Sequence, residues 1–268
     1  MEQAARELAH EPRLKQFSAA QLKALVEFVA GNTLFVTTHE LGHAAISELD
    51  LPVLGREEDA ADAFAILTAL RVSTAFSHEV LVEAARGWFL SARRDRAEGD
   101  MPAYYGQHGL NEQRAYFIIC LMVGSDPVKF KDLADEYKLP EERRRTCAWD
   151  YETVSRSWDR VLAPHRRAPD QPKSRIDVRY DDAPGRLGLF ARIFRDTRFL
   201  DLVAEHAAER YVWPAPFLIE MRSCGAPGAR WTVPTRTLHV CYEIAQEFGE
   251  LYRGYGSIRK IAKRSRTH

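Results

Sequence analysis

His39-Glu40-Leu41-Gly42-His43 carries the densest chemistry in the chain, and an acidic stretch, Glu57-Glu58-Asp59-Ala60-Ala61-Asp62, follows it closely. On a helix, His39 and His43 stand at i and i+4, so both imidazoles leave one face and can reach a single metal ion. Glu40, beside the first histidine, can then sit over an open coordination position. Zinc with three protein ligands lowers the pKa of water from ~15.7 toward ~7, and a neighbouring carboxylate can take the proton as that water attacks a carbonyl. The chemistry implied is amide hydrolysis, with Glu40 as general base. With 9 His in 268 residues, and all 38 acidic residues as an upper bound for Glu, chance would supply about 0.04 copies of such a pentapeptide. Two satisfied histidines on an ordinary helix are the alternative.

The third ligand comes from the acidic stretch. A helix from about Arg56 to Arg71 places Glu58 and Asp62 on one face at i and i+4. Carboxylates commonly accept the outer N–H of a zinc-bound histidine, so Glu58 reads as ligand and Asp62 as the group that orients His39 or His43. Ala60 and Ala61 would let this helix lie close to the first, and Gly42 adds room. Glu57 and Asp59 read as an acidic first turn favoured by the helix dipole.

These motifs, HExxH followed by ExxAD, resemble those of the gluzincin metallopeptidases, in which the second glutamate is the third zinc ligand and the aspartate supports the site. Residues 31–36, 51–62, 113–116 and 120–127, with Cys224-Gly225 and residues 238–243, resemble the DUF4344 family of bacterial metallopeptidases, a likeness covering about residues 30 to 255. It implies one Zn2+ per chain and a peptide or protein substrate. Two positions depart from the family pattern: Gly106-Gln107 stands before His108 where an acidic pair is expected, and Gly228 replaces an Asn. A metal-binding but non-catalytic protein that holds a peptide or partner in the same cleft is therefore the second reading.

A second donor for the developing oxyanion is sought among His108, Tyr104, Tyr105 and Arg114. His108 is chosen as catalytic because its glycine-flanked segment can present a side chain to a cleft. Arg114 opens an apolar run and reads first as the partner of a buried carboxylate.

The elements that must position these groups fall into two textures. Residues 1–165 read as successive helices forming a catalytic region: a leading helix, a motif helix with Asn32 as N-cap, the Glu58 helix, then Val80–Arg96, Asn111–Val123, Pro127–Tyr137 and Glu141–Leu162. A proline-punctuated linker, Pro164–Lys173, leads to an α+β region at 174–256, with strands at Ile176–Tyr180, Phe217–Met221 and Thr237–Cys241. Residues 257–268 read as a basic flexible tail. The fold class is α+β, predominantly α-helical, and the second region is expected to dock on the first and complete the cleft by strand addition.

Composition bounds the alternatives. The 38 basic and 38 acidic residues cancel, which argues against a nucleic-acid partner, and no apolar run approaches the ~20 residues of a membrane span. Four cysteines pair most simply as Cys120–Cys147 and Cys224–Cys241. Two such bridges favour an oxidising compartment, periplasmic or secreted, with reduced thiols in the cytoplasm as the alternative.

Overall fold

The computed structural model describes residues 16–264 together with Ala4 and Arg6; for residues 255–264 it describes the backbone helix only. Most of the expected leading segment, and residues 265–268 of the expected tail, lie outside the described residues.

Helix α1 (Ala19–Glu48) is the axis of the molecule. It starts at a reciprocal cap in which Ser18 Oγ accepts from Gln21 N–H and Gln21 Oε1 accepts from Ser18 N–H. From Ala19 onward the expected leading helix and the motif helix are thus one element, and Asn32 is not an N-cap. Asn32 is buried, and its Nδ2 donates to Phe28 O at 2.8 Å, one turn back, and to Glu83 O at 2.9 Å on a neighbouring helix. An asparagine that would cap a helix in isolation instead ties two helices together, because the side-chain donor finds a second carbonyl there.

Against α1 pack α2 (Glu57–Val72) and α3 (Ala75–Glu98); α4 (Asn111–Ser125) packs on α3, and the short α5 (Lys131–Glu136) and α6 (Glu141–Leu162) pack on α4. Helix α3 opens on a second capping box, Thr74 with Ser77, and closes on Gly99 in the left-handed region at φ 81°, where glycine carries no steric penalty. Beyond α6 come β1 (Ile176–Tyr180), α7 (Leu187–Asp196), α8 (Phe199–Arg210), β2 (Phe217–Arg222), β3 (Ala229–Thr232), β4 (Thr237–Cys241) and α9 (Tyr242–Arg264). Helix α9 does not stop at Arg253: its backbone runs on through 254–264, across most of the stretch expected as a tail.

The fold is α+β and predominantly helical, with one mixed four-stranded sheet ordered β1-β2-β4-β3. Strands β1, β2 and β4 run parallel, and β3 pairs antiparallel with β4 at the edge, Trp231 opposite Leu238. Three strands match the sequence expectation closely. The fourth, β3, lacks a signal of its own: it is only Ala-Arg-Trp-Thr between Gly228 and Val233-Pro234, and its pairing with β4 supplies its conformation.

Phe217, Ile219, Met221, Leu238 and Val240 face inward and share one apolar core with Leu41, Ala44, Phe64 and Leu67 of the helices. The outer face is polar: Glu220, almost fully buried, is covered by His239, whose Nδ1 lies 2.6 Å away, and by Arg179. The expected linker is pinned down: Arg167 N–H donates to Arg210 O at 2.9 Å and Val212 N–H to His165 O at 2.8 Å. Both anticipated disulfides are present, Cys120–Cys147 joining α4 to α6 and Cys224–Cys241 joining the turn after β2 to the end of β4. They fit an oxidising environment outside the cytoplasm. No described helix is long and apolar enough to cross a membrane.

Candidate metal centre

Helices α1 and α2 approach closely because small residues face each other: a Cβ on Gly42 would stand 3.0 Å from Ala61 Cα. That approach brings the two motifs together. His39 Nε2 lies 3.1 Å from Glu58 Oε2, His43 Nε2 lies 3.3 Å from the same oxygen, and the two Nε2 atoms are 3.2 Å apart. One donor atom from each of His39, His43 and Glu58 therefore lies within 4.8 Å of the others.

The tautomers are set by carboxylates on the far side of each ring. Asp62 Oδ1 lies 2.8 Å from His39 Nδ1, and Glu57 Oε1 lies 2.7 Å from His43 Nδ1. With Nδ1–H given to a carboxylate, each neutral imidazole turns its Nε2 lone pair toward the shared point. Sequence reasoning left open which histidine Asp62 serves and passed Glu57 over as part of a dipole-favoured first turn. Glu57 was out of reach because its partner depends on how α1 and α2 cross.

Asp62 is itself held by Arg114, whose Nε and Nη2 donate to its two oxygens at 2.7 Å each. The Arg114 guanidinium lies over the Trp88 ring, 3.8 Å from the centroid. This is the structural partnership expected for Arg114, and it removes the residue as an oxyanion donor. Burial pushes the Asp62 carboxyl up, but the hydrogen bonds from His39 and Arg114 outweigh it and hold the group below its ordinary range.

The histidines are drawn the other way. Burial disfavours their charged forms, yet the surrounding carboxylates outweigh it, so His39 is raised and His43 is raised to about 9. Burial likewise favours the protonated form of Glu58, but hydrogen bonds from His108, His39 and His43 hold its carboxyl far below the usual range. The cluster thus favours positive charge at its centre, whether carried by protons or by a cation.

Glu40 sits beside the cluster, and burial raises its pKa above the ordinary carboxylate value, against the opposing pull of His39. Its Oε2 accepts a 2.8 Å hydrogen bond from the backbone N–H of Trp231, on edge strand β3. His108 reaches the same place from its loop, with Nε2 2.7 Å from Glu58 Oε2 and its ring stacked 5.9 Å from that of His39. Tyr104 and Tyr105, the other candidates, are largely exposed. A cavity of about 360 Å3 opens here, bounded by His39, Glu40 and His108, by Ser91 of α3, by Ala229 of β3 and by Phe248 of α9.

A family model, DUF4344, described as "Putative metallopeptidase", matches residues 4–162. The chain belongs to this family. No curated protein and no solved structure matches it. The match covers every residue of the cluster and ends at Leu162, so the resemblance noted in residues 163–255 lies beyond it. Membership in DUF4344 implies a metal-dependent hydrolase acting on peptides.

The donor set fits such a metal. Tetrahedral zinc with bonds of ~2.1 Å keeps its ligand atoms ~3.4 Å apart, close to the spacings of 3.1, 3.2 and 3.3 Å seen here. A second cluster, Cys224, Cys241 and Glu243, offers no such site, since both sulfurs are in the disulfide. Glu243 instead accepts from Ser223 Oγ and from the N–H groups of Cys224 and Gly225, which fixes that turn.

Proposed function

We propose that this DUF4344 chain is a zinc-dependent peptidase in which His39, His43 and Glu58 hold one Zn2+ and Glu40 is the general base. The observation that carries the reading is the convergence of two Nε2 atoms and one carboxylate oxygen, with both tautomers set by carboxylates at Nδ1. Zinc held there would supply Lewis acidity toward a carbonyl and lower the pKa of water.

The chain's own residues supply the rest. Glu40 Oε1 has no hydrogen-bond partner among the described residues, so it can accept the proton of the attacking water and return it to the leaving amine; burial raises its pKa and makes it a stronger base. Asp62 and Glu57 keep the imidazoles in register. His108, half-exposed on its loop with Nε2 on Glu58, would turn that donor from Glu58 to the developing oxyanion. Ala229, at the edge of the sheet, offers outward backbone groups along which an extended peptide can lie as an added strand. The non-catalytic alternative draws on one observation, the Trp231 N–H already bound to Glu40 Oε2. In this reading the protein works in the periplasm or outside the cell, a setting that its two disulfides support.

The test pairs elemental analysis with peptide hydrolysis. Glu40→Gln should keep about one zinc per chain and lose roughly 10²- to 10⁴-fold in kcat, while Glu58→Ala should lose the metal. Hydrolysis undiminished in Glu40→Gln would overturn the assignment of the base, and a zinc-loaded wild type that cleaves no peptide would favour the holding protein.

A further inference from the structure

At the opposite end of α2 from Glu58 lies a cavity of about 250 Å3, between the last turn of α2, the segment after α6 and the last turn of α8. Its walls carry Arg71, Arg166, Arg167 and Arg210, with His206 and Tyr211. Few acids balance them. Asp159 is shared by Arg71, at 3.1 Å, and Arg166, and Glu209 is taken by Lys173 at 2.6 Å. Arg167 spends its hydrogen bonds on backbone carbonyls, among them Glu209 O at 3.0 Å, and Arg210 has no ion-pair partner among the described residues. Three positive charges are left over, and the C-terminal ends of α2 and α8, at roughly half a negative charge each, reduce the excess to about two.

The neutral groups point the same way. Thr68, Tyr211 and His206 line this cavity, and their side chains have no hydrogen-bond partner among the described residues. Burial raises the Tyr211 hydroxyl above its ordinary value, and the nearby Arg71, Arg210 and Arg166 pull against that rise. Burial, with a smaller contribution from Arg210 and against the pull of Glu209, holds His206 below its ordinary value. A surplus of guanidinium charge beside hydroxyl groups in a concave site matches the needs of a tetrahedral oxyanion.

We infer that this cavity is an anion site for a phosphoryl group, carried by inorganic phosphate or by a small phosphate monoester. It is separate from the metal cluster and does not depend on the peptidase reading. The test uses the full-length protein, with thermal unfolding and calorimetric titration against sodium phosphate, phenyl phosphate, and sodium chloride at matched ionic strength. Phosphate at roughly ten times its Kd should raise Tm by about 3 °C or more over the chloride control. Arg210→Gln, at an exposed position without a partner, should weaken that binding about tenfold, and Arg166→Gln with Arg210→Gln should abolish it. Tighter binding of phenyl phosphate than of inorganic phosphate would identify an ester as the ligand, and the reverse order the free ion. No shift beyond chloride in the wild type, or an undiminished shift in the double variant, would overturn the inference.

Discussion

At the scale of single residues, the centre is a chain of paired charges running from Trp88 through Arg114 and Asp62 to His39. Each member is ordered by the one behind it, so the consequences of a change are graded. Asp62→Asn keeps the shape but weakens the acceptor at His39 Nδ1, and zinc affinity should fall 10- to 100-fold in a chelator competition; equal affinity would show that Asp62 serves packing alone. Proton linkage gives a second test. His43 is raised to about 9 in the folded protein from an ordinary 6.5. In the metal-free protein, the stability this pair contributes is therefore complete below about 6.5 and is lost as pH rises through about 9. Zinc must displace the same proton, so binding at pH 7.5 should release about one proton per metal or more. Titration calorimetry in two buffers of different ionisation enthalpy reads this directly, and a binding heat independent of buffer would contradict it.

At the scale of elements, the decisive contact is α1 against α2. HExxH alone brings only two imidazoles to one face, and the Glu58 carboxylate joins them because Gly42 and Ala61 let the two backbones meet. Gly42→Val would force the helices apart and should cost about 3 kcal/mol in a urea unfolding curve. Zinc binding should weaken as well, since Glu58 moves with α2. Unchanged stability together with unchanged metal affinity would mean that the contact is slack. Strand β3 matters for a related reason. It has little strand character, yet it sets a backbone donor against Glu40, so the conformation of the proposed base depends on an edge strand far away in sequence.

At the scale of the whole molecule, the helices and the sheet share a core: Leu41, Phe64 and Trp158 bury the same surface as Phe199, Ile219 and Leu238. Helix α9 closes the far side, with Glu247 2.9 Å from Arg94 and Phe248 packed edge-on to Phe28. We expect residues 1–165 expressed alone to expose that core and fail to unfold cooperatively, seen as loss of near-UV circular dichroism. A folded, peptide-cleaving fragment would instead make the later region an accessory.

What the sequence determined by itself is local. The spacing of His39 and His43, the facing of Glu58 and Asp62 on one helix and three of the strands follow from periodicities of 3.6 and 2 that any short window displays. The cysteine pairs were legible because few connectivities exist. Other features were decided only in three dimensions: Glu57 on His43, Asp62 on His39 and not His43, Arg114 on Asp62, His108 over Glu58, Asn32 as a tie between α1 and α3, and β3 as a strand at all. Each is a contact between elements, fixed by crossing angles and by which small residues allow close approach. Those quantities reside in the packing of side chains from distant segments, and no window of sequence contains both partners.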